Sequence, residues 1–337
     1  MRMDRLFKRR SIPFVSKVVA LCFVALLLFL LTKTILWSAR FMRETGITPG
    51  VLAKLVFDEG TGLQSSDGRT NILILGIGGG THEGADLTDT MMVLSLDNVK
   101  KTVALISIPR DIWSDTLKDK VNTAYHYGGL ILSKVVVEDV IGMPIYYAAV
   151  IDFSGFTKVI DAVGGIDVNV PEAFTDPRYP KPGMEQATCP GDETRACVYE
   201  TVHFDAGLQH MDGARALIYA RSRHADGQEG GDFARSHRQQ IILVALKDWM
   251  THPTKWMTLS RLGALPKLLD DATDMDMNIA QAITVGKRFA ASSQDQIKKI
   301  AFDQLLDSPL DYLYNNLYVL VPQTSWDDIH AYIKKQL

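Results

Sequence analysis

Apolar residues recur with two different periods after residue 70, and these periods predict alternating strands and helices. Short apolar runs predict buried strands at residues 71–76, 91–96, 102–108, 145–151 and 166–170. Helical spacing of apolar residues covers 122–142 and 153–165, and the second stretch ends in paired glycines, which are typical of a helix C-terminus. The order of these elements predicts an α/β fold in which helices cover both faces of a mixed sheet.

The second half of the chain returns to a helical pattern after a long polar excursion. Residues 172–208 are rich in proline, glycine and charge, and helical spacing resumes at 211–220. A further helix is predicted to begin at Asp232 as its N-cap. Eight of the ten residues in 241–250 are apolar, so the distal half of this helix is expected to be buried. The tail, 252–337, contains more apolar helix and one predicted strand, LYVLVP, and we expect it to pack on the same sheet.

The N-terminal region combines a basic flank with a long apolar run. Residues 1–11 carry five basic side chains and one acidic one, and residues 12–37 are apolar over a length that can cross a bilayer core of roughly 30 Å. This pattern predicts one transmembrane helix with the basic tail in the cytoplasm and the rest of the chain outside it. A cleaved signal peptide is the alternative, but bulky Trp37 stands beside a poor cleavage site. Residues 38–69 then form a predicted juxtamembrane linker.

Charge and cysteine usage narrow the possible partners. The formal net charge is −3, which argues against nucleic acid because a nucleic-acid-binding domain normally carries a basic surface. Cys189 and Cys197 bracket the polar loop CPGDETRAC, and outside the cytoplasm this pair is predicted to form a disulfide. Metal binding by the pair is disfavoured because no CxxC motif accompanies it.

An unusual arginine cluster follows the polar excursion, in the sequence YARSRHADGQEGGDFARSHRQQ. Its four arginines, with no lysine among them, are Arg221, Arg223, Arg235 and Arg238. A guanidinium presents a planar fork of donors that matches phosphate oxygens, so this composition favours recognition of a diphosphate. In an extended segment the first two would share a face, and the spacing of Arg235, Arg238 and Gln239 predicts one shared helix face. The alternative is ion pairing with three neighbouring acids, Asp226, Glu229 and Asp232.

Two other stretches place charged residues beside predicted strands. SIPRDIW delivers Arg110 and Asp111 to the edge at which a strand ends, and open α/β sheets bind ligands at that edge. LTDT puts Asp89 just before a strand, after a loop that contains Asp86. Carboxylates beside a diphosphate predict Mg²⁺, which takes one or two carboxylates together with phosphate oxygens and water. Ordinary turn and capping chemistry is the alternative for these aspartates.

Seven segments of the chain together carry a specific pattern. They are NILILG, LTDTMMVLSL, LISIPRD, VNTAYHYGG, DFSGFTKVIDAVGGIDVNVP, GLQHMDGARALIYARSR and GDFARSHRQQ. Their order and content resemble the LytR-CpsA-Psr family of bacterial cell-wall enzymes. Because the resemblance covers residues 70 to about 250, we expect a catalytic domain at 70–251 and a C-terminal extension at 252–337.

The resemblance implies a phosphotransferase that moves a glycopolymer from a polyprenyl diphosphate carrier to peptidoglycan through a phosphodiester bond, with Mg²⁺ as cofactor. It also implies a three-layer α/β/α sheet with an apolar cavity for the lipid chain. The diphosphate-binding residues that it implies are Arg110, Arg221, Arg223, Arg235, Arg238 and Gln239. Arg110, Asp89 and Asp111 are the candidate catalytic residues, with Asp89 or Asp111 as the proton acceptor and Asp89 and Asp86 as metal ligands.

Two departures from the family pattern lie in the loops on the metal side. Members carry an aspartate where this chain has Gly78 and an arginine where it has Leu87. Asp86 or Glu83 is the candidate replacement for the missing carboxylate, and His82 for part of the missing positive charge. The same site supports two alternative functions: a diphosphatase that uses water as acceptor, and a binding or regulatory protein that holds the lipid without turnover.

Overall fold

The computed structural model describes residues 28–36, 38–40, 43, 62–80, 84–181, 183–184, 187–192, 194, 196–252, 271–293 and 296–337. The chain divides into two units, 1–54 and 55–337. In the first unit residues 28–36 are helical, and the side chain of Thr32 donates to the carbonyl of Leu28 at 3.0 Å. Among the described residues no helix is both long enough and apolar enough to cross a membrane. Most of the predicted span, 12–37, lies outside those residues.

The second unit contains a central mixed sheet. The described strands are β1 (Arg69–Ile77), β2 (Thr88–Asp97), β3 (Val103–Ser107), β4 (Trp113–Ser114), β5 (Asp119–Lys120), β6 (Tyr147–Asp152), β7 (Ile166–Val170), β8 (Phe174–Pro180), β9 (Tyr199–Phe204), β10 (Gly207–Met211), β11 (Thr273–Met275), β12 (Ile297–Ile300), β13 (Leu306–Asp307) and β14 (Val321–Pro322). The α-helices described in this unit are α1 (Ala124–Ile141), α2 (Phe153–Val163), α3 (Gly213–Arg221), α4 (Gly231–Met250), α5 (Ile279–Ala291) and α6 (Trp326–Gln336). The central sheet has the order β11-β6-β1-β2-β3-β12.

The pairing in this sheet is both parallel and antiparallel. β1 pairs antiparallel with β2 and parallel with β6, while β3 pairs antiparallel with β2 and parallel with β12. The predicted mixed α/β fold is therefore confirmed, and each predicted strand through residue 170 is a strand. One of them lies elsewhere, because β7 pairs with β10 in a separate two-stranded sheet.

The alternation of side chains along the central strands divides the apolar residues between two cores. Leu73, Leu75 and Ile106 belong to a core that includes residues of α1 and α6. Their neighbours along the strands, such as Ile72 and Leu105, belong to another core that includes residues of α5. The side chains that point to either face of the central sheet are thus buried in a core, and helices cover both faces.

A separate core lies beneath the site-bearing helices. It joins buried residues of β7, α2, α3 and α4, including Val168, Ile160, Tyr219 and Ile242. The predicted glycine stop of α2 is confirmed, because Gly164 caps the helix in a left-handed conformation with a φ of 87°. This core fixes α3 and α4 relative to each other, and these helices carry the arginine cluster.

Three local predictions need correction. α1 is not continuous, because Gly129 adopts a φ of 59° and bends it near its start. The N-cap of α4 is Gly230, two residues before the predicted cap, so Asp232 lies in the first turn of the helix. The predicted strand at 317–322 is reduced to the short β14, which pairs with β13 and not with the central sheet.

The C-terminal region contributes to the central sheet through other strands than the predicted one. β11 and β12 form its two edges, pairing with β6 and β3. In the polar excursion, Cys189 and Cys197 form a disulfide, as predicted. The excursion also contains the paired strands β8 and β9.

Candidate functional site

A cleft with a volume of about 130 Å³ lies at the sheet edge where β3 and β6 end and β2 begins. Its lining residues are Asp89, Thr90, Arg110, Phe153, Pro180, Arg221, Arg223, His224, Arg235 and Gln239. The set contains four arginines and a single carboxylate, so the cleft carries a strong positive charge although the whole chain is weakly acidic. We call this the arginine cleft.

Separate elements deliver these side chains to one place. Asp89 is near the start of β2, Arg110 follows the end of β3, and Phe153 begins α2 directly after β6. Arg221 is the last residue of α3, and Arg235 lies in the first turns of α4. The alternation of Arg221 and Arg223 predicts an extended segment, but Arg221 still belongs to helix α3; both arginines nevertheless line the cleft.

Arg110 is held between two carboxylates. Its Nη1 donates to Asp89 Oδ1 at 2.5 Å, and its Nε lies 3.5 Å from Asp111 Oδ2 without a hydrogen bond. Burial lowers the pKa of Arg110, but Asp89, Asp111 and Asp232 outweigh it, and the pKa is raised. The guanidinium is therefore permanently charged and aimed at the cleft by its neighbours.

Arg235 is the most deeply buried arginine of the cleft lining, with 9% of its side chain exposed. Its Nη2 donates to the carbonyl of Asp89 at 3.2 Å and lies 3.0 Å from Asp232 Oδ1. Burial lowers the pKa of Arg235, and the nearby Arg110 lowers it further. Its Nε has no hydrogen-bond partner within the described part of the chain. A buried unmatched donor costs about 1–3 kcal/mol, and an anionic ligand in the cleft would remove that cost.

Arg221 and Arg223 are positioned by different means. The guanidinium of Arg221 lies 4.1 Å from the centre of the Phe153 ring, and its Nη1 is 3.5 Å from the Tyr179 hydroxyl. No carboxylate of the described residues forms an ion pair with it. Arg223 lies 3.9 Å from Asp232, and 39% of its side chain is exposed. Ion pairing therefore neutralises these two arginines little, and both remain able to bind an anion.

Buried Asp176 holds the loop after α3, and sequence reasoning missed it. Its carboxylate accepts hydrogen bonds from the backbone amides of Arg223 and His224 at 3.0 and 3.2 Å. Burial, together with Arg223, lowers the pKa of His224 despite the opposing effect of Asp176, so this histidine is neutral at pH 7. Asp176 lies within the polar excursion and had no sequence signal. Phe153 could have been found, because it follows a strand at the same sheet edge as Arg110.

Arg238 does not line the arginine cleft. Only 1% of its side chain is exposed, and its Nη1 donates to Glu229 Oε2 at 2.7 Å. Its Nη2 donates to the carbonyl of Ser222. Around the helix axis Gln239 lies about 40° from Arg235 on one side, whereas Arg238 lies about 60° from Arg235 on the other side. Arg235 and Gln239 thus share the cleft, and Arg238 turns toward the loop before α4.

The predicted acids are dispersed. Asp111 accepts from Lys120 Nζ at 2.7 Å and does not line the cleft. Asp86 lies 2.8 Å from His126 Nδ1, a contact that lowers the pKa of Asp86. Of the metal-ligand candidates only Asp89 lines the cleft, and the described residues contain no group of three or more potential metal ligands. His82 and Glu83 lie outside the described residues.

Fold and site together define a mixed α/β protein with an arginine-lined cleft at one edge of its central sheet. The chain belongs to the LytR_cpsA_psr family, whose model matches residues 53–335. The resemblance drawn from the seven sequence segments is thereby confirmed.

Named relatives are consistent with this assignment. The chain is 30% identical over 262 residues to a Bacillus subtilis (strain 168) protein named polyisoprenyl-teichoic acid–peptidoglycan teichoic acid transferase TagV. That match takes in 76% of this chain but only 61% of the relative. A Halalkalibacterium halodurans protein named as the corresponding TagU transferase is 26% identical, with 79% of each chain covered. The crystal structure of B. subtilis TagV gives a TM-score of 0.60 at 26% identity, covering 81% of this chain and 98% of that chain.

Proposed function

We propose that this chain is a membrane-anchored phosphotransferase that moves a glycopolymer from a polyprenyl diphosphate carrier to peptidoglycan, joining them through a phosphodiester bond. The observation that carries this proposal is the convergence of Arg110, Arg221, Arg223 and Arg235 on one cleft with a single carboxylate. The names of the TagV and TagU relatives, which are teichoic acid transferases to peptidoglycan, support the choice of donor and acceptor.

The arginine cleft is suited to two linked phosphates. Guanidinium forks bind phosphate oxygens bidentately, and four of them surround a volume of about 130 Å³. The free N–H groups of Arg110 and Arg235 add buried donors that lack partners in the described structure. Phosphoryl transfer depends mainly on positioning and on charge stabilisation, which such a cleft supplies.

In the proposed reaction a hydroxyl oxygen of the wall attacks the phosphorus that carries the glycopolymer. A new phosphorus–oxygen bond forms while the bond to the bridging oxygen breaks, and polyprenyl monophosphate leaves with that electron pair. The hydroxyl proton passes to a carboxylate. Of the two candidates, Asp89 is the better placed, because it lines the cleft whereas Asp111 is engaged by Lys120.

The donor set also fits Mg²⁺ bound largely by its substrate. Mg²⁺ commonly takes one or two carboxylates and fills its remaining positions with phosphate oxygens and water, and Asp89 offers one carboxylate in the cleft. Asp86 is engaged by His126 and is not part of the lining, so we assign Asp89 alone as protein ligand. When bound, the metal would neutralise charge on the phosphate oxygens. A carboxylate that holds a metal is a weaker base, so with Asp89 on the metal the other candidate, Asp111, would accept the hydroxyl proton; its Oδ2 lies 3.5 Å from Arg110 Nε.

The proposal extends to cellular location. We propose that residues 12–37 form the transmembrane anchor and that the three-layer α/β/α domain lies on the outer side of the membrane. The basic flank at residues 1–11 supports this orientation. The disulfide between Cys189 and Cys197 supports an oxidising compartment. Tethering would raise the effective concentration of lipid-linked substrate near the cleft.

The test is transfer of a glycopolymer from a polyprenyl diphosphate donor to purified peptidoglycan with and without Mg²⁺. Arg221→Lys should lower transfer at least about 100-fold, since a single point charge cannot replace a stacked bidentate fork in a site of this kind. Arg178→Lys is the matched control, because Arg178 is an exposed arginine outside the cleft. Wild-type transfer by Arg221→Lys would contradict the proposed role of the cleft.

The same assay separates the alternatives. Release of phosphate-bearing product at an equal rate without peptidoglycan would identify a diphosphatase. Tight binding of polyprenyl diphosphate with no turnover under any metal condition would identify a binding protein. Gly78 and Leu87, which stand where family members carry an aspartate and an arginine, would then be the first residues to test as the cause of the lost turnover.

A further inference from the structure

Large apolar side chains are exposed together in one loop of the C-terminal region. The loop between β13 and β14, residues 308–320, contains Leu310, Tyr312, Leu313 and Tyr318, whose exposed fractions are 65%, 69%, 61% and 53%. Single exposed apolar residues are common on protein surfaces, but a local group of them marks a candidate interaction surface. We call residues 308–320 the apolar loop. The chemistry proposed for the arginine cleft does not use it.

Backbone hydrogen bonds make the apolar loop a compact turn. The Leu313 amide donates to the carbonyl of Leu310 at 3.0 Å. The Tyr314 amide donates to the carbonyl of Asp311, and the Leu317 amide donates to that of Tyr314, both at 2.9 Å. Backbone groups that are already paired lose less free energy when they leave water. The loop can therefore bring its apolar side chains to a nonaqueous surface without stranding these amides.

The apolar loop is attached to the chain segment that leads into the arginine cleft. The Leu320 amide donates to the carbonyl of Asp111, and the Leu320 carbonyl accepts from the Trp113 amide, both at 2.9 Å. The Tyr314 ring packs edge-on against the Trp113 ring, with the ring centres 5.0 Å apart. Arg110, which lines the cleft, directly precedes Asp111. The loop and the cleft therefore lie at the same end of the central sheet, and the orientation of one fixes that of the other.

The surroundings of the apolar loop carry no excess of positive charge. Lys118 lies 3.0 Å from an oxygen of Asp115, and Lys120 lies 2.7 Å from an oxygen of Asp111, so a carboxylate neutralises each lysine. Asp311 adds a negative charge within the loop itself. A polyanionic partner is therefore disfavoured. Apolar contact must supply most of the binding free energy at this surface.

We propose that the apolar loop docks onto the lipid bilayer, with Leu310 and Leu313 inserted at the boundary between headgroups and acyl chains and with Tyr312 and Tyr318 at the headgroups. Leucine below the headgroups and tyrosine among them is the arrangement expected of a shallow membrane contact. A glycan would account for the tyrosine rings but not for the two leucines, because an aliphatic side chain offers no flat face to a sugar ring. Docking would hold the arginine cleft near the depth at which the diphosphate of a lipid-linked donor lies.

This inference rests on the proposed anchor at residues 12–37. β1 enters the central sheet at the end opposite to the arginine cleft, because Arg69 pairs with Asp97 at the far end of β2. Residues 38–68, between the anchor and β1, extend to at most roughly 110 Å, whereas the ten-residue β2 covers roughly 33 Å. This connection is long enough for the cleft end of the sheet to reach the bilayer. Because the anchor keeps the bilayer within reach, even a weak contact would be well occupied.

Lipids that quench fluorescence at a known depth test the contact in the full-length protein, reconstituted into vesicles. In a Cys22→Ser background Cys189 and Cys197 stay in their disulfide, so a thiol introduced by Leu313→Cys can be labelled selectively. Lipids brominated on their acyl chains should quench this label, and its emission should shift to shorter wavelength. The matched control is the same label introduced by Val99→Cys. It should show neither effect, because Val99 is 80% exposed in the turn after β2, at the end of the sheet opposite to the cleft.

A charge placed in the apolar loop tests whether the native side chains, and not the label, drive the contact. Leu310→Asp should remove most of the quenching of the label at residue 313, because a carboxylate is costly to insert among acyl chains. It should also raise the KM for a long-chain polyprenyl diphosphate donor in the same vesicles about tenfold and leave the KM for a short-chain, water-soluble donor within about twofold. Since Leu310 is largely exposed, thermal unfolding of the variant should match that of the wild type. An equal rise in KM for both donors would contradict docking.

The outcomes that would overturn the proposal are separable. An unquenched label at residue 313 in vesicle-bound protein would exclude docking and leave the anchor in place, whereas a chain that does not enter vesicles would contradict the anchor and the docking together. A wavelength shift without quenching that grows with the ratio of protein to lipid would identify contact with a second copy. A shift that requires added peptidoglycan fragments would identify a glycan-binding surface. Quenching that disappears in neutral lipids would identify an electrostatic contact.

The proposed phosphotransferase function is measured independently of the docking. Turnover of the short-chain donor does not require the bilayer, so its absence in the wild type would contradict the proposed reaction alone. Quenching of the label at residue 313 does not require turnover, so its absence would contradict the docking alone.

Discussion

Replacing Arg238 by methionine tests whether this arginine stabilises the fold or binds the ligand. The resemblance implies that this arginine binds diphosphate, whereas the structure buries it beneath the loop that carries Arg223. Its three hydrogen bonds go to the carboxylate and carbonyl of Glu229, at 2.7 and 3.0 Å, and to the carbonyl of Ser222. The guanidinium carbon lies 4.6 Å from the centre of the Phe174 ring, and the thioether of methionine can make an apolar contact with the same ring. The substitution therefore removes the polar contacts while keeping much of the packing.

The expected loss of stability follows from these contacts. Breaking a buried ion pair costs about 3–5 kcal/mol, but the Glu229 side chain is 22% exposed and can regain water. We therefore expect Arg238→Met to lower the free energy of unfolding by about 3 kcal/mol, near the lower limit of that range. Glu229→Gln should lower the free energy of unfolding by less than Arg238→Met does. The double variant should lose less stability than the two single variants together, because the two side chains interact directly.

Urea unfolding of the detergent-solubilised chain, followed by tryptophan fluorescence, measures the effect. Trp249 is buried in the core that includes α4 and reports on this region. Arg178→Met, at an exposed arginine, is the control and should change the free energy of unfolding by less than about 0.5 kcal/mol. A free energy of unfolding equal to that of the wild type in Arg238→Met would show that these contacts do not stabilise the fold. Loss of diphosphate binding at unchanged stability would show instead that Arg238 contacts the ligand.

Three further predictions concern stability. Burial raises the pKa of Asp97, but hydrogen bonds from backbone amides and the charge of Arg69 outweigh burial, and the pKa is lowered. The ionised Asp97 therefore stabilises the fold fully above pH ~4, and this stabilisation is lost as the pH falls further. Asp97→Asn should remove this part of the pH dependence of the free energy of unfolding, measured from pH ~2 to ~6. Gly79→Ala should lower the free energy of unfolding by at least about 1 kcal/mol, because Gly79 has a φ of 71° and an added Cβ would meet the Asp152 side chain at 2.8 Å; an unchanged urea midpoint would contradict this. Cys197→Ser should cost about 2–3 kcal/mol by opening the disulfide loop, and alkylation mass spectrometry of the unreduced wild type should find Cys189 and Cys197 unmodified.

Most of the central sheet followed from the hydrophobic pattern. The apolar runs at 71–76, 91–96 and 102–108 are strands, as predicted. They could be predicted because apolar content and its periodicity depend only on residues adjacent in the chain. The pattern did not show that β7 leaves the sheet to pair with β10. Pairing partners are chosen by long-range packing, which local periodicity does not contain.

The residue types of the site were also evident in the sequence. The arginine composition of residues 219–240 predicted an anion site, and Arg110, Arg221, Arg223 and Arg235 all line one cleft. Lysine and arginine carry the same charge but differ in the geometry of their hydrogen-bond donors. The choice of arginine at all four positions therefore indicated a phosphate ligand.

Tertiary structure alone decided which of these groups meet. Helix rotation turned Arg238 away from Arg235, buried Asp176 fixed the loop after α3, and the packing of α4 brought Arg235 to the arginine cleft. The distance between residues far apart in the chain depends on how whole elements pack. Sequence therefore determined the elements and their chemical groups, and packing determined their convergence.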